Sequence, residues 1–219
     1  VNEQPSTPDR RTVLVGKAIS AVVAHLPWLW PAINGPVMRF FDRAAGSWDS
    51  RTGAGSVEHL APLAAAVLTI EQEPERILDV GCGTGAATLF LAREFPRARV
   101  RGVDISHAMI NRASAKIGLD PEARVAFKQG DASKLPWPDD SFDLVTLVNM
   151  PLFFGEINRV LRPGGSVIVV ATLGDRTPFS TPSKTIEKKF NRLGIIPAAT
   201  GLAGPGTWFC GTKEGHHSG

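Results

Sequence analysis

Two carboxylates stand at the ends of short apolar runs, where each can meet a ligand. Asp79 lies in Arg76-Ile77-Leu78-Asp79-Val80, and Asp104 closes Val100-Arg101-Gly102-Val103-Asp104, 25 residues further on. Gly81, Gly83 and Gly85 follow the first run directly. Glycine lets a backbone turn sharply and come close to a bound molecule. A strand, a glycine turn and a helix in that order build a nucleotide-sized pocket at the strand's carboxyl end. The early acid bears on the ligand. Asp79 is a poor neighbour for a pyrophosphate and a good one for a cationic amino group or a sulfonium. A carboxylate at Asp104 can accept both hydroxyls of a ribose.

No general base stands out. His25 lies in an apolar segment from which it could reach a pocket, whereas His59 and His107 are expected to face water. The catalytic residue is therefore left unassigned. Cys82 and Cys210 are far apart and form no CxxC pair, so they read as reduced thiols, with no metal site. The chain has no tyrosine, which removes one common proton-transfer group.

These residues need elements to position them. The apolar runs predict strands over 76–80, 100–104, 124–128, 142–148 and 166–171. Phe142 to Val148 is almost continuously apolar, as expected of a strand buried on both faces. Helices are predicted from Ser56 to Thr69, with Leu60, Leu63, Val67 and Leu68 as the buried stripe, and over 86–95 up to Pro96. Further helices follow from the Ser106 cap to Ile117, over 152–161, and over 181–193 with a basic face. Ile195-Ile196 and 207–213 are the sixth and seventh strands. Strands alternating with helices at these lengths predict an α/β fold with a largely parallel sheet and helices on both faces.

Four stretches together resemble the class I S-adenosylmethionine-dependent methyltransferases. Asp79-Val80-Gly81-Cys82-Gly83-Thr84-Gly85 looks like the family's first motif. Val100 to Ser106 is similar to its second strand with the ribose-binding acid. Gln129-Gly130-Asp131-Ala132, leading through Leu135 to Asp143, is similar to the adenine-side loop before strand four. Arg159 to Gly165 looks like the turn before strand five. The resemblance covers roughly Ser56 to Thr172, and within the family it is most like the ubiquinone/menaquinone-biosynthesis C-methyltransferase-like group. It implies a Rossmann-like, doubly wound, seven-stranded sheet whose last strand inserts antiparallel between its neighbours, and S-adenosylmethionine as cofactor. It also implies a cofactor set of Asp79, Gly81, Cys82, Gly83, Gly85, Asp104, Ile105, Met109, Gly130, Asp131, Ala132, Asn149 and Trp48. In that set Asp79 complements the amino group, Ile105 faces the adenine, and Asp131 with the Ala132 N–H reads the adenine edge. Asn149 ends strand four opposite the transferable methyl, and Trp48 belongs to a segment that folds over the cofactor.

The chain has 219 residues and a formal charge of +3, enough for one full core and too little charge to point to nucleic acid. The predicted organisation is an N-terminal tail and helical lid over 1–55, a cofactor-binding domain over 56–213, and a disordered tail over 214–219. No Asp, Glu, Lys or Arg occurs from Ala18 to Met38, a length near that of a membrane span. Pro27, Pro31 and Pro36 argue against a single spanning helix. Two readings remain: a helix over 13–26 packed as a lid, or an amphiphilic patch with Trp28 and Trp30 resting on a membrane surface or a lipophilic substrate. The expected function is methyl transfer to a small apolar acceptor in the cytoplasm, with peripheral membrane contact through the N-terminal segment. The alternative is a non-catalytic cofactor-binding or membrane-interaction protein on the same fold. An NAD-dependent oxidoreductase is disfavoured by Asp79 and the Gly-x-Gly-x-Gly spacing.

Overall fold

The computed structural model describes residues 7–120 and 122–215. The expected tails at either end, with His216 and His217, fall largely outside them. Seven strands form one sheet: β1 (Arg76–Val80), β2 (Arg99–Asp104), β3 (Val125–Gln129), β4 (Phe142–Val148), β5 (Leu161–Ala171), β6 (Ile195–Ala203) and β7 (Gly206–Lys213). Their order is β3-β2-β1-β4-β5-β7-β6. The pairs from β3 to β5 are parallel, and β7 runs antiparallel to both β5 and β6, as the resemblance implied. The chain leaves β1 toward β2 and β3, then returns to the other side of β1 with β4. That reversal opens a crevice at the strands' carboxyl ends.

Period-two side-chain alternation divides the core between the two faces of the sheet. Leu78, Val145, Val167 and Val169 point one way and meet Ile157 and Val160 of a helix, α7 (Phe154–Val160), and Ile186 and Phe190 of another, α8 (Ser183–Asn191). Ile77, Leu144, Ile168 and Val170 point the other way. They meet Leu63 and Val67 of α4 (Val57–Val67) and Leu91 of α5 (Ala86–Glu94). Ser56 caps α4 by accepting from the His59 N–H, and Ser106 caps α6 (His107–Ser114) by accepting from the Met109 N–H.

The N-terminal segment is helical. It comprises α1 (Arg10–His25), α2 (Trp30–Ala44) and the short α3 (Trp48–Thr52), joined by single 3-10 turns. Pro27 breaks α1 from α2, as expected. Pro31 sits in the first turn of α2, where its missing N–H costs nothing, and Pro36 is accommodated inside the helix on its exposed side. Val23, Trp30, Val37 and Phe153 form a third cluster, which seats this segment over the carboxyl ends of the strands.

Several boundaries differ from the sequence reading. The helix over 152–161 is shortened to α7, because β5 begins at Leu161, which pairs with Phe142 before a register shift. Gly164 turns there at φ +76°, and a side chain on Gly165 would strike the Asp143 carbonyl. The helix expected to reach Ile117 ends at Ser114, and its last residues form turns. The sixth strand is nine residues long rather than two. It lies on the edge of the sheet with only Ile195 buried, so no buried apolar pattern marks its length, and it tolerates Pro197 at an irregularity. Leu68 is exposed rather than buried, since it lies past the end of α4, turned off the buried stripe. Trp30 is buried, so only Trp28 of the two tryptophans remains on the surface.

Candidate functional site

The turn after β1 is held against β2. The Gly81 and Cys82 N–H groups both donate to the Val103 carbonyl, at 2.8 and 3.0 Å. Gly81, Gly83 and Gly85 all take positive φ, the left-handed region that favours glycine. Gly85 has a second reason to lack a side chain: a Cβ there would lie 2.7 Å from the Phe127 ring. The turn therefore closes onto α5 with its backbone facing the crevice.

Asp79 is fully buried, and its carboxylate accepts from the Thr88 hydroxyl at 2.6 Å and the Thr146 hydroxyl at 3.2 Å. Burial pushes its carboxyl up to about 7; the two hydroxyls oppose the rise and nearby Asp104 adds to it. Asp104 accepts from the Gly83 N–H at 2.9 Å and the Ser106 N–H at 2.8 Å. It is pushed up to about 6, first by burial, against the pull of those backbone donors. Burial and the same two acids hold the Cys82 thiol well up, so it stays protonated. Among the described residues neither Asp79 nor Asp104 has an ion-pair partner.

These groups open on a cavity of about 140 Å³. Its floor includes Asp79, Gly81, Cys82, Gly83, Asp104, Ile105, Met109, Gly130, Ala132 and Asn149, and Trp48 closes it from the lid side. Its apolar walls come from Trp30, Val37, Phe41, Met150, Pro151, Phe153 and Phe179. Eleven of the thirteen expected cofactor residues thus meet around one space. Gly85 does not line it and acts through the turn. Asp131 does not line it either. Its carboxylate faces α2, where Trp30 Nε1 donates to both oxygens at 2.9 Å and Asn34 Nδ2 to one at 3.4 Å. The adenine contact expected of Asp131 is therefore occupied by the lid in this structure. Asn149 lines the cavity, but its amide is spent on Thr172, donating to the hydroxyl and accepting from the N–H, both at 2.8 Å. It holds a left-handed backbone at φ 55° and ties the end of β4 to β5.

The lid is fastened to the loops that follow β1, β2 and β3. Asp42 accepts from the Ser106 hydroxyl at 2.6 Å and from the Ala108 N–H at 3.3 Å. Asp49 accepts from the Thr84 hydroxyl and pairs with Lys116 at 2.7 Å. Trp30 and Asn34 hold Asp131. Sequence reasoning gave Asn34, Asp42 and Asp49 no individual role and read Trp30 as part of an amphiphilic patch; the only other signal was their place in the segment expected to cover the cofactor. His59 was expected to face water and instead lines the cavity, half-buried, with the Thr52 carbonyl as its hydrogen-bond partner. Burial holds its ring below the usual histidine range. His25 lies outside the cavity, and His107 faces solvent.

Known proteins match this arrangement. A methyltransferase domain family matches residues 77–165, the span that carries both acids and the glycine turn. Residues 77–165 are thus similar to a methyltransferase domain. A demethylmenaquinone methyltransferase of Thermus thermophilus is 39% identical to this chain over 116 residues, covering 48% of the chain and 51% of the relative. A fatty-acid O-methyltransferase of Mycolicibacterium smegmatis is 40% identical over 100 residues, covering 42% and 35%. The chain spans about half the length of the first of these curated relatives. Among solved structures, a putative methyltransferase in complex with the Haloferax volcanii Trm112 activator aligns with a TM-score of 0.65 at 19% identity, over 80% of this chain and 97% of that one. That likeness bears on the fold.

The residues present fit the family's cofactor. Two acids without counter-charge, Asp79 buried and Asp104 partly exposed to the cavity, suit an ammonium group and a ribose diol, and no cation of the described residues pairs with them. Gly83 leaves room above the turn, its nearest neighbour being Trp48 Nε1 at 3.8 Å from where a Cβ would stand.

Proposed function

We propose that this chain moves a methyl group from S-adenosylmethionine to a small, lipophilic acceptor by in-line displacement. The carrying observation is the contrast within one cavity: an acidic, glycine-lined floor beneath an aromatic roof. When bound, the cofactor supplies an electrophilic methyl on a sulfonium, so the chemistry asks little of the protein beyond alignment and the exclusion of water. Asp79 and Asp104 hold the amino and ribose ends, and the glycine turn allows close backbone approach. Trp30, Phe41, Phe153 and Phe179 offer apolar faces to an acceptor and keep water out. His59, uncharged at neutral pH, can take a proton from an acceptor that must lose one. The names of the relatives, a quinone and a fatty-acid methyltransferase, support a lipophilic acceptor and leave the methylated atom open.

Calorimetric titration with S-adenosylmethionine, S-adenosylhomocysteine and NADH, followed by transfer of labelled methyl to demethylated quinols and long-chain fatty acids, tests this reading. Binding of both adenosyl ligands with label in one acceptor is the expected result. Adenosyl binding with no turnover on any acceptor would favour the non-catalytic alternative. NADH binding would overturn the cofactor assignment.

A further inference from the structure

Helix α1 has two faces of different character. Gly16, Ser20, Val23 and Ala24 are buried and point into the protein. That face is pinned. A Cβ on Gly16 would lie 2.6 Å from the Pro178 carbonyl, Lys189 Nζ donates to the Ala24 carbonyl, and Val23 packs with Trp30 and Val37. The helix cannot roll its outer face inward without losing these contacts. Opposite them lie Arg11, Leu14, Val15, Ala18 and Ala21, all exposed. Leu14 is 71% exposed, Val15 59%, and Trp28 in the following turn 72%.

Burying hydrocarbon is favourable, so a fixed outward apolar face is a cost in water unless something covers it. The charges say what does. Between Asp9 and Asp42 there is no acidic residue, while Arg10, Arg11, Lys17 and Arg39 are all basic. None of the four has an ion-pair partner among the described residues. A second copy of this chain would bring the same α1 cations to the contact and be repelled. An anionic bilayer offers hydrocarbon for Leu14 and Val15, an interface for the Trp28 indole and counter-charge for the arginines.

We propose that the outward face of α1 and the turn carrying Trp28 dock on an anionic lipid surface. The proposal is independent of the methyl-transfer reading. Among the described residues no single helix is long and apolar enough to cross a membrane, and the α1 axis bends by 115° from the segment after it. With Gly16, Ser20, Val23 and Ala24 packed on the protein, only the outer face of α1 is free to meet lipid, so the contact is a helix lying on the bilayer rather than a span. Because the inner face of α1 packs on Trp30 and Val37, which wall the cavity, the bilayer would lie against the layer that roofs the site.

Cosedimentation of the full chain with vesicles tests it, comparing phosphatidylcholine alone with an equal mixture of phosphatidylglycerol and phosphatidylcholine. Binding to the mixture only, released by high salt, is expected. Leu14→Glu with Trp28→Glu should abolish it. Arg10→Gln with Arg11→Gln should weaken it about 25-fold, at about fivefold per charge near the surface. All variants should keep their S-adenosylhomocysteine affinity, which shows the fold intact and separates this proposal from the functional one. The proposal is overturned if the chain binds neither vesicle, or if the Glu variants bind as well as the parent. A dimer that the Leu14 and Trp28 changes dissolve would also overturn it, in favour of a second copy.

Discussion

At the scale of single residues, the site is a set of groups held in unusual states by burial. His59 is the clearest case. Desolvation keeps its ring uncharged, and the Thr52 carbonyl fixes one nitrogen as donor. The other nitrogen is left as an acceptor in a cavity-lining side chain. If it takes the acceptor's proton, activity falls as pH drops through its ionisation, which lies below the usual value of 6.5. His59→Gln should then lower kcat by about 100-fold and remove that acidic limb, with cofactor affinity unchanged. A kcat and pH profile like the parent's would leave His59 as cavity wall only. The sequence offered it only as one of three candidate histidines, expected to face water. Its neighbours Val57 and Glu58 are exposed, and one turn of helix decides which way the ring points.

At the scale of elements, α2 and α3 are the distinctive feature. They close the crevice by bonding to the three loops that follow β1, β2 and β3, which are proposed here to hold the cofactor. The Asp42 carboxylate sits at the N-terminus of α6, where it accepts from the Ser106 side chain and the Ala108 N–H. An acid at that end is favoured by the helix's exposed N–H groups. Asp42→Ala should cost about 1–2 kcal/mol of stability, the range for a lost capping carboxylate, read as a lower denaturant midpoint at unchanged slope. A midpoint equal to the parent's would mean that the lid is held by its aromatic contacts alone. These pairings join residues 64 apart in sequence. No local pattern carries them, although a helical lid over 1–55 was expected from the sequence.

For the whole molecule, two desolvated acids without counter-charge make stability depend on pH in an uncommon direction. Asp79 rises from 3.8 to about 7 and Asp104 from 3.8 to about 6. The folded state therefore binds more protons than the unfolded one between these values. Their contribution is fully present below about pH 4 and is lost as pH rises toward 7. Denaturant midpoints of the ligand-free protein should fall between about pH 5 and about pH 7, and Asp79→Asn should flatten that fall. A midpoint that rises over the window, or an Asn variant with the parent's slope, would show that Asp79 is ionised in the folded protein. Ligand-free instability of this kind is consistent with a site built to receive a cation.

The sequence by itself determined the sheet, the glycine turn and the positions of Asp79 and Asp104, because these depend on short-range patterns. Strand runs, helix caps and positive-φ glycines each act within a few residues. It also determined that an acid-free helical segment precedes the domain. Only the tertiary structure decided what that segment touches. Asp131 could be read as a ligand contact from its motif, yet Trp30, 101 residues away, holds its carboxylate. Trp28 and Trp30 look alike in sequence, and packing against Phe153 buries one while the other stays in solvent. The edge strand β6 was read as two residues rather than nine, because its neighbour β7 supplies hydrogen bonds that need no apolar alternation along its length. Contacts between distant segments are set by how whole elements fill space, and that information is spread over the chain rather than written at any one place in it.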